Sequence, residues 1–200
     1  MLRRLQLLCV LVLVGGTVVS CENPQPILRT TQYDEPYRPI PIASRGRAQV
    51  YQLVRFFTET NPRIGRNYLT RLARTYIDEA AAEGINSDIA FCQMAHETNY
   101  LRFGDDVQPG QNNFCGLGAT GRGEPGLSFS SIEIGIRAHI QHLKAYANAQ
   151  PLRKKLVDPR FSRVRRGQAP YIEYLAGTWA TDPQYGVKLK RKLQMLEEHL

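Results

Sequence analysis

The chain has 200 residues, 42% of them hydrophobic and 22% charged, a composition that fits one globular domain with a real core and excludes a disordered chain. The formal net charge of +8 suits a polyanionic partner. Nucleic acid, anionic lipid and the bacterial wall all qualify, and the same charge also serves solubility, so charge alone selects none of them.

The first twenty residues read as an export signal rather than as part of the fold. Arg3 and Arg4 form a short basic start, Leu5 to Val14 is apolar apart from Gln6, and small residues follow at Gly15, Gly16, Thr17 and Ser20. The segment ends in Val18-Val19-Ser20-Cys21, which resembles a bacterial lipobox with Val18 in the usual leucine position. The resemblance implies cleavage before Cys21, acylation of its thiol and attachment to a membrane surface, each buried methylene adding about 0.8 kcal/mol. Removal of Arg3 and Arg4 leaves 24 basic and 18 acidic residues, a net charge of +6. Residues 21–45 carry five prolines (Pro24, Pro26, Pro36, Pro39 and Pro41) and little apolar periodicity, the pattern of an extended tether. Residues 46–200 are then the folded domain. Of the four cysteines, Cys9 leaves with the signal and Cys21 takes lipid. Cys92 and Cys115 remain, and the sequence leaves open whether they bridge or stay as buried thiols.

From Gly46 onward the patterns are helical. Val50, Leu53, Val54 and Phe57 mark one apolar face, and Pro62 stops the run. A second helix is predicted from Asn67 to Glu83, with Leu69, Leu72, Ala73, Tyr76 and Ala80 inward and Gly84 closing it. Asn86 or Ser87 caps a third helix that runs to Thr98. Residues 104–126 are rich in glycine and polar side chains and read as loops with room for a short hairpin. Ser130-Ser131-Ile132-Glu133 has the spacing of a capping box opening a fourth helix, which Pro151 ends. Basic residues crowd Arg153 to Arg166, a face suited to anionic wall or lipid, or simply to solvent. A short helix fits Tyr171 to Ala176. Asp182 and Pro183 read as N-cap and first residue of a last helix bearing Tyr185, Leu189, Leu193, Leu196 and Leu200.

Several short motifs fail on context. Gly116, Gly118 and Gly121 match a dinucleotide-binding spacing but lack the preceding strand and following helix. His96-Glu97 opens a zinc-protease pattern that needs histidine where Tyr100 stands. His139 and His142 lie three apart with no suitably spaced third ligand on their helix, and read better as core or surface histidines. No metal site is therefore expected. No serine-hydrolase motif is present.

Glu97 stands out. Ala90, Met94, Glu97 and Leu101 form one helical stripe, which places a carboxylate on the apolar side of a helix end beside a glycine-rich loop. Burial there disfavours the charged form, and a protonated carboxylic acid is what protonation of a glycosidic leaving oxygen requires. On spacing alone, a glutamate that swings out to solvent fits as well.

Four blocks in order carry a family resemblance: Phe91-Cys-Gln-Met-Ala-His-Glu97-Thr, Asn112-Asn-Phe-Cys-Gly-Leu-Gly118, Phe129-Ser-Ser-Ile-Glu133 and Trp179-Ala-Thr-Asp-Pro-Gln-Tyr185. Over roughly residues 65 to 198 the chain resembles the bacterial glucosaminidases, glycoside hydrolase family 73, whose members include mannosyl-glycoprotein endo-beta-N-acetylglucosaminidases. The resemblance implies a lysozyme-like α+β fold, predominantly helical, with a small loop/β lobe. It implies cleavage of the β-1,4 bond after N-acetylglucosamine in peptidoglycan, with Glu97 as the acid. Asn113, Phe114 and Gly116 then line the cleft, although Cys115 interrupts the family's spacing there. Trp179 and Tyr185 contact sugar, the indole standing in the family's first aromatic position. Asp182 is better read as a helix cap. The second carboxylate maps best to Glu124, with Asp105 and Asp106 as alternatives, and the substrate's own acetamido group is a further option. The implied partners are peptidoglycan strands and a membrane held through Cys21, with no cofactor and no nucleic acid. The nearest other readings are a lytic transglycosylase or muramidase, and a wall-binding lipoprotein without turnover.

Overall fold

A computed structural model describes residues 38–104, 107–119, 123 and 125–200, so the export signal, Cys21 and residues 22–37 of the tether lie outside the described residues. Five α-helices follow in chain order: α1 Val50–Thr60, α2 Arg66–Glu83, α3 Ser87–Glu97, α4 Ile132–Ala147 and α5 Tyr185–Glu197. Short 3-10 turns stand at Pro109–Gln111, Phe161–Arg163 and Ile172–Leu175. The described residues contain two isolated β-bridges, Pro41 to Tyr171 and Ala176 to Ala180, and no strand. The molecule is thus predominantly helical with a loop lobe, consistent with a lysozyme-like glucosaminidase domain. No helix among the described residues is long and apolar enough to cross a membrane.

Helix α3 is the axis. Every residue from Ser87 to Ala95 is buried, because α1, α2, α4 and α5 all pack on it. A helix covered on all sides buries residues beyond the one stripe of Ala90, Met94, Glu97 and Leu101 that the sequence marks. Asn86 caps it, its side chain accepting from the backbone N–H groups of Asp88 and Ile89. The predicted inward set of α2 is its buried apolar set, which Glu79 and Glu83 join, and Gly84 closes that helix at φ 71° in the left-handed region, where a Cβ is strained.

Three boundaries differ from the sequence expectations. The tether does not run to residue 45. Ile40 and Ile42 are buried, Ile42 N–H donates to Pro170 O at 2.9 Å, and Ile172 N–H donates to Ile40 O at 3.0 Å. Two isoleucines spaced by one proline form an edge that docks on the loop before the last helix, so the folded part begins ahead of Gly46. The fourth helix is capped by Ser131 rather than Ser130; Ser131 Oγ accepts from Ile134 N–H, and Glu133 turns outward to Arg71 at 2.7 Å. The last helix starts at Tyr185, two residues after Pro183. Asp182 Oδ1 accepts from Gln184 N–H at 2.8 Å, so Asp182 caps the turn that leads into α5.

The loop lobe between α3 and α4 is held by side-chain amides. Asn113 Nδ2 donates to Leu117 O and Leu127 O, both at 2.9 Å, while its Oδ1 accepts from Leu117 N–H at 3.0 Å. Gln111 Nε2 reaches Gly126 O at 2.7 Å, and Asn112 Nδ2 reaches Phe129 O at 3.0 Å. The lobe sits against α4 at Gly135, where a Cβ would come within 1.8 Å of Asn112 O, so no larger residue fits. Part of the basic run is also structural. Lys154 pairs with Glu79, and Arg166 donates to Asn148 O and Gln150 O while lying over the Phe161 ring.

Candidate active site

Glu97 is the last residue of α3, and the chain turns sharply away behind it. Asn99, Tyr100, Leu101 and Phe103 all have φ between 47° and 58°, a left-handed conformation unfavourable for residues with a Cβ. Tyr100 and Leu101 are buried and pin the turn, and Thr98 Oγ1 accepts from Leu101 N–H at 2.9 Å. The consequence is a helix end whose final carboxyl opens onto a cleft rather than into the following chain.

That cleft has a volume of about 510 Å³ and is lined by His96, Glu97, Asn99, Phe103, Cys115, Gly116, Trp179 and others, a size suited to a small-molecule or sugar subsite. Glu97 is its one carboxylate among the described lining residues. Two donors converge on a single oxygen: Trp179 Nε1–H at 3.0 Å and the Tyr185 hydroxyl both meet Glu97 Oε1. Burial pushes the Glu97 carboxyl above the usual carboxylate range, and the Tyr185 and Trp179 hydrogen bonds offset only part of that. With Oε1 engaged as a double acceptor, the proton of the neutral acid belongs on Oε2.

Trp179 is fixed from behind by three rings: His142 and Tyr146 at 5.2 Å and His139 at 5.9 Å. His142 Nδ1 in turn contacts the buried Asp158 carboxylate at 2.7 Å. The indole therefore has one orientation, with its N–H aimed at Glu97. Tyr185 is buried, and its phenol is held well above its ordinary pKa by burial and by the charge of Glu97, so it stays a hydroxyl donor.

The chain matches the family model described as mannosyl-glycoprotein endo-beta-N-acetylglucosaminidase over residues 73–198. It belongs to the glucosaminidase family. A Borreliella burgdorferi protein, described as uncharacterized, is 49% identical over 165 residues, which cover 82% of this chain and 80% of that one. As a glucosaminidase, the protein is in general terms a peptidoglycan-degrading glycoside hydrolase, and the helical fold expected from the resemblance is the one observed.

The glucosaminidase cleft gathers some of the expected site residues and not others. Glu97 and Trp179 line it together. Tyr185 is buried, is not among the lining residues, and reaches Glu97 with its hydroxyl. Asn113 and Phe114 do not face the cleft. Phe114 is 1% exposed within the core, and the Asn113 amide is fully engaged by the lobe backbone. Cys115 and the expected Gly116 line the cleft. Glu124, Asp105 and Asp106 lie outside the described residues. Both His139 ring nitrogens are engaged, by Tyr76 and Gln93, and His142 Nδ1 meets Asp158, the environment of core histidines. Cys92 and Cys115 are both free buried thiols, so the bridge left open by the sequence is not formed. Gln93 and Asp158 carried no signal of their own in the sequence, because a buried amide or carboxylate is recognised only by the partner that satisfies it.

Proposed function

We propose that the protein cleaves the β-1,4 bond after N-acetylglucosamine in peptidoglycan, with Glu97 as general acid. The observation that carries this is the one buried carboxyl among the described residues lining the cleft, its pKa raised by burial and one oxygen occupied by two donors. Such a group keeps its proton to higher pH than an ordinary carboxyl, and in its protonated form it presents Oε2–H to the leaving oxygen. As that oxygen takes the proton, the negative charge left on Glu97 is stabilised by the Trp179 and Tyr185 donors already in place. The family's second group is assigned to Glu124 on sequence position, delivered by the loop lobe, or to the substrate's acetamido oxygen.

A muramidase or lytic transglycosylase is the second reading, favoured by one observation: Glu97 is the one carboxylate among the described lining residues. Peptidoglycan digested with the protein and reduced with borohydride separates the two. Reduced N-acetylglucosamine ends are the expected product. Reduced N-acetylmuramic acid or anhydro ends would move the assignment, and no new ends across several wall types would favour a wall-binding protein without turnover.

Export and lipid anchoring at Cys21 in the bacterial envelope belong to the same proposal, supported by the three-part signal and the lipobox-like Val18-Val19-Ser20-Cys21. Mass spectrometry of the purified N-terminus tests it: a diacylglyceryl-modified Cys21 is expected, and an unmodified Cys21 or an intact Met1 start would contradict it.

A further inference from the structure

Behind Tyr185 the hydrogen bonding continues into the core. Gln93 Nε2 donates to the Tyr185 hydroxyl at 2.9 Å. Gln93 Oε1 lies 3.1 Å from His139 Nε2, and His139 Nδ1 lies 2.9 Å from the Tyr76 hydroxyl. Gln93 and His139 are both wholly buried, as is Tyr76, and they come from α3, α4 and α2.

The chemistry of each group sets the direction of the chain. An amide oxygen only accepts, so His139 carries its proton on Nε2. Its Nδ1 is then an acceptor, and Tyr76 donates to it. The Gln93 amide presents its NH₂ to Tyr185, the orientation that an ionised Glu97, which only accepts, requires of a Tyr185 that donates to it. A Tyr185 oxygen that accepts from Gln93 turns its own proton to Glu97. Donation thus runs one way from Tyr76 through His139, Gln93 and Tyr185 to Glu97 Oε1. A single reversed amide would break it, because Gln93 Oε1 would then draw the Tyr185 proton away from Glu97.

We propose that His139 and Gln93 are positioning residues for the glucosaminidase reaction, locking Tyr185 as a donor to Oε1 of Glu97 and so leaving Oε2 as the oxygen that holds the transferable proton. The proposal rests on the reading of Glu97 as the acid. Burial keeps the chain in this state: it lowers the His139 imidazole to about 3, with the neighbouring His142 adding to the effect, so the ring stays neutral with one donor and one acceptor nitrogen. Tyr76 is raised well above its ordinary value by burial, with smaller contributions from Cys115 and Tyr68, and keeps its proton. The groups that face the Glu97–Tyr185 pair are Trp179 from the loop before α5, Cys115 from the lobe, and Gln93 and His96 from α3, the His96 ring standing 5.3 Å from that of Tyr185. Those that face His139 are Tyr76, Gln93, His142 and Trp179.

The test is the titration of Glu97 in the full chain, followed by its carboxyl stretch in infrared difference spectra against Glu97→Gln, beside product-end analysis of digested wall. Loss of a donor at Oε1 weakens the carboxylate, so Tyr185→Phe, Gln93→Met and His139→Phe should each raise the Glu97 pKa, by about half a unit or more. The double variant His139→Phe/Tyr185→Phe should titrate like Tyr185→Phe alone, because both act through one proton. His139→Gln restores a donor near the ring Nε2 and should return the titration toward wild type. Gln93→Met removes the amide with little change in volume and adds no charge, so it carries the test where the His139 variant does not fold. An unshifted titration in folded Gln93→Met, or fully additive shifts in the double variant, overturns the relay. If those results accompany cleavage that Glu97→Gln abolishes, the acid reading stands without the relay. Cleavage that survives Glu97→Gln overturns the acid reading, and with it the relay's part in the reaction.

Discussion

At the scale of the residue, the site depends on which oxygen of one carboxyl is occupied. The sequence made Glu97 visible because a charge on an apolar helical stripe is out of place. It did not show Tyr185 as the partner of Glu97, since the two are 88 positions apart and meet only when α5 packs on α3. Trp179→Phe keeps an aromatic ring in the cage but removes the indole donor. Glu97 should then hold its proton to higher pH, and the basic limb of the rate profile should move upward while the maximal rate falls; an unmoved limb would mean that the indole does not act on the acid. The cysteines give a second prediction. Burial pushes both the Cys92 and Cys115 thiols well above their ordinary range, so neither should react with a thiol reagent in the native chain, and both should react after denaturation. Rapid labelling of Cys115 in the native protein would contradict this and show its thiol to be reached through the cleft it lines.

At the scale of the element, helix existence was legible and helix starts were less so. α1, α2 and α3 follow from apolar spacing bounded by Pro62, Gly84 and Asn86. The beginnings of α4 and α5 were misplaced because serine pairs and Asp-Pro sequences cap turns as readily as helices, and tertiary contacts choose between them. The lobe was read as loops from its glycines, but its role for Asn113 was inverted. An asparagine in a cleft motif looked like a sugar contact, whereas its amide ties three backbone groups together. Asn113→Ala should leave Leu117 and Leu127 carbonyls without that donor, a cost of about 1–3 kcal/mol, and hydrogen exchange should show lost protection at the Leu117 amide while α2 and α4 keep theirs. For α3, Asn86→Ala removes the side-chain cap and should lower stability by about 1 kcal/mol, visible as a melting temperature lower by about 3 °C.

At the scale of the whole molecule, buried charge ties the helices into one body. Lys144 on α4 meets Glu83 at the end of α2 at 2.8 Å with both side chains nearly inaccessible, and the backbone N–H groups of Arg153 and Lys154 also donate to Glu83. Burial alone would raise the Glu83 carboxyl, but Lys144 and the two backbone donors together hold it below its ordinary value; Arg137 and Lys154 do the same for Glu79. Because these folded-state values lie below the unfolded ones, their stabilisation is fully present above the ordinary glutamate range of about 4.3 and is lost as pH falls through the lowered values. Urea midpoints should therefore drop below about pH 4. Lys144→Met leaves Glu83 without its ammonium and should cost about 3–5 kcal/mol at neutral pH, with a flatter acid dependence. The network was not legible in the sequence, where Glu83 and Lys144 each looked like solvated helix charges. The network ties α4 to α2, and both of these helices pack on α3. The most direct measurement is the rate of glycan cleavage by wild type and Glu97→Gln on the same purified peptidoglycan, with both proteins shown to melt cooperatively. A general acid supplies about 10²–10⁴ in rate, so a loss in that range with wall binding retained is the predicted result. Near-normal cleavage by Glu97→Gln would contradict the assignment of Glu97 as the acid.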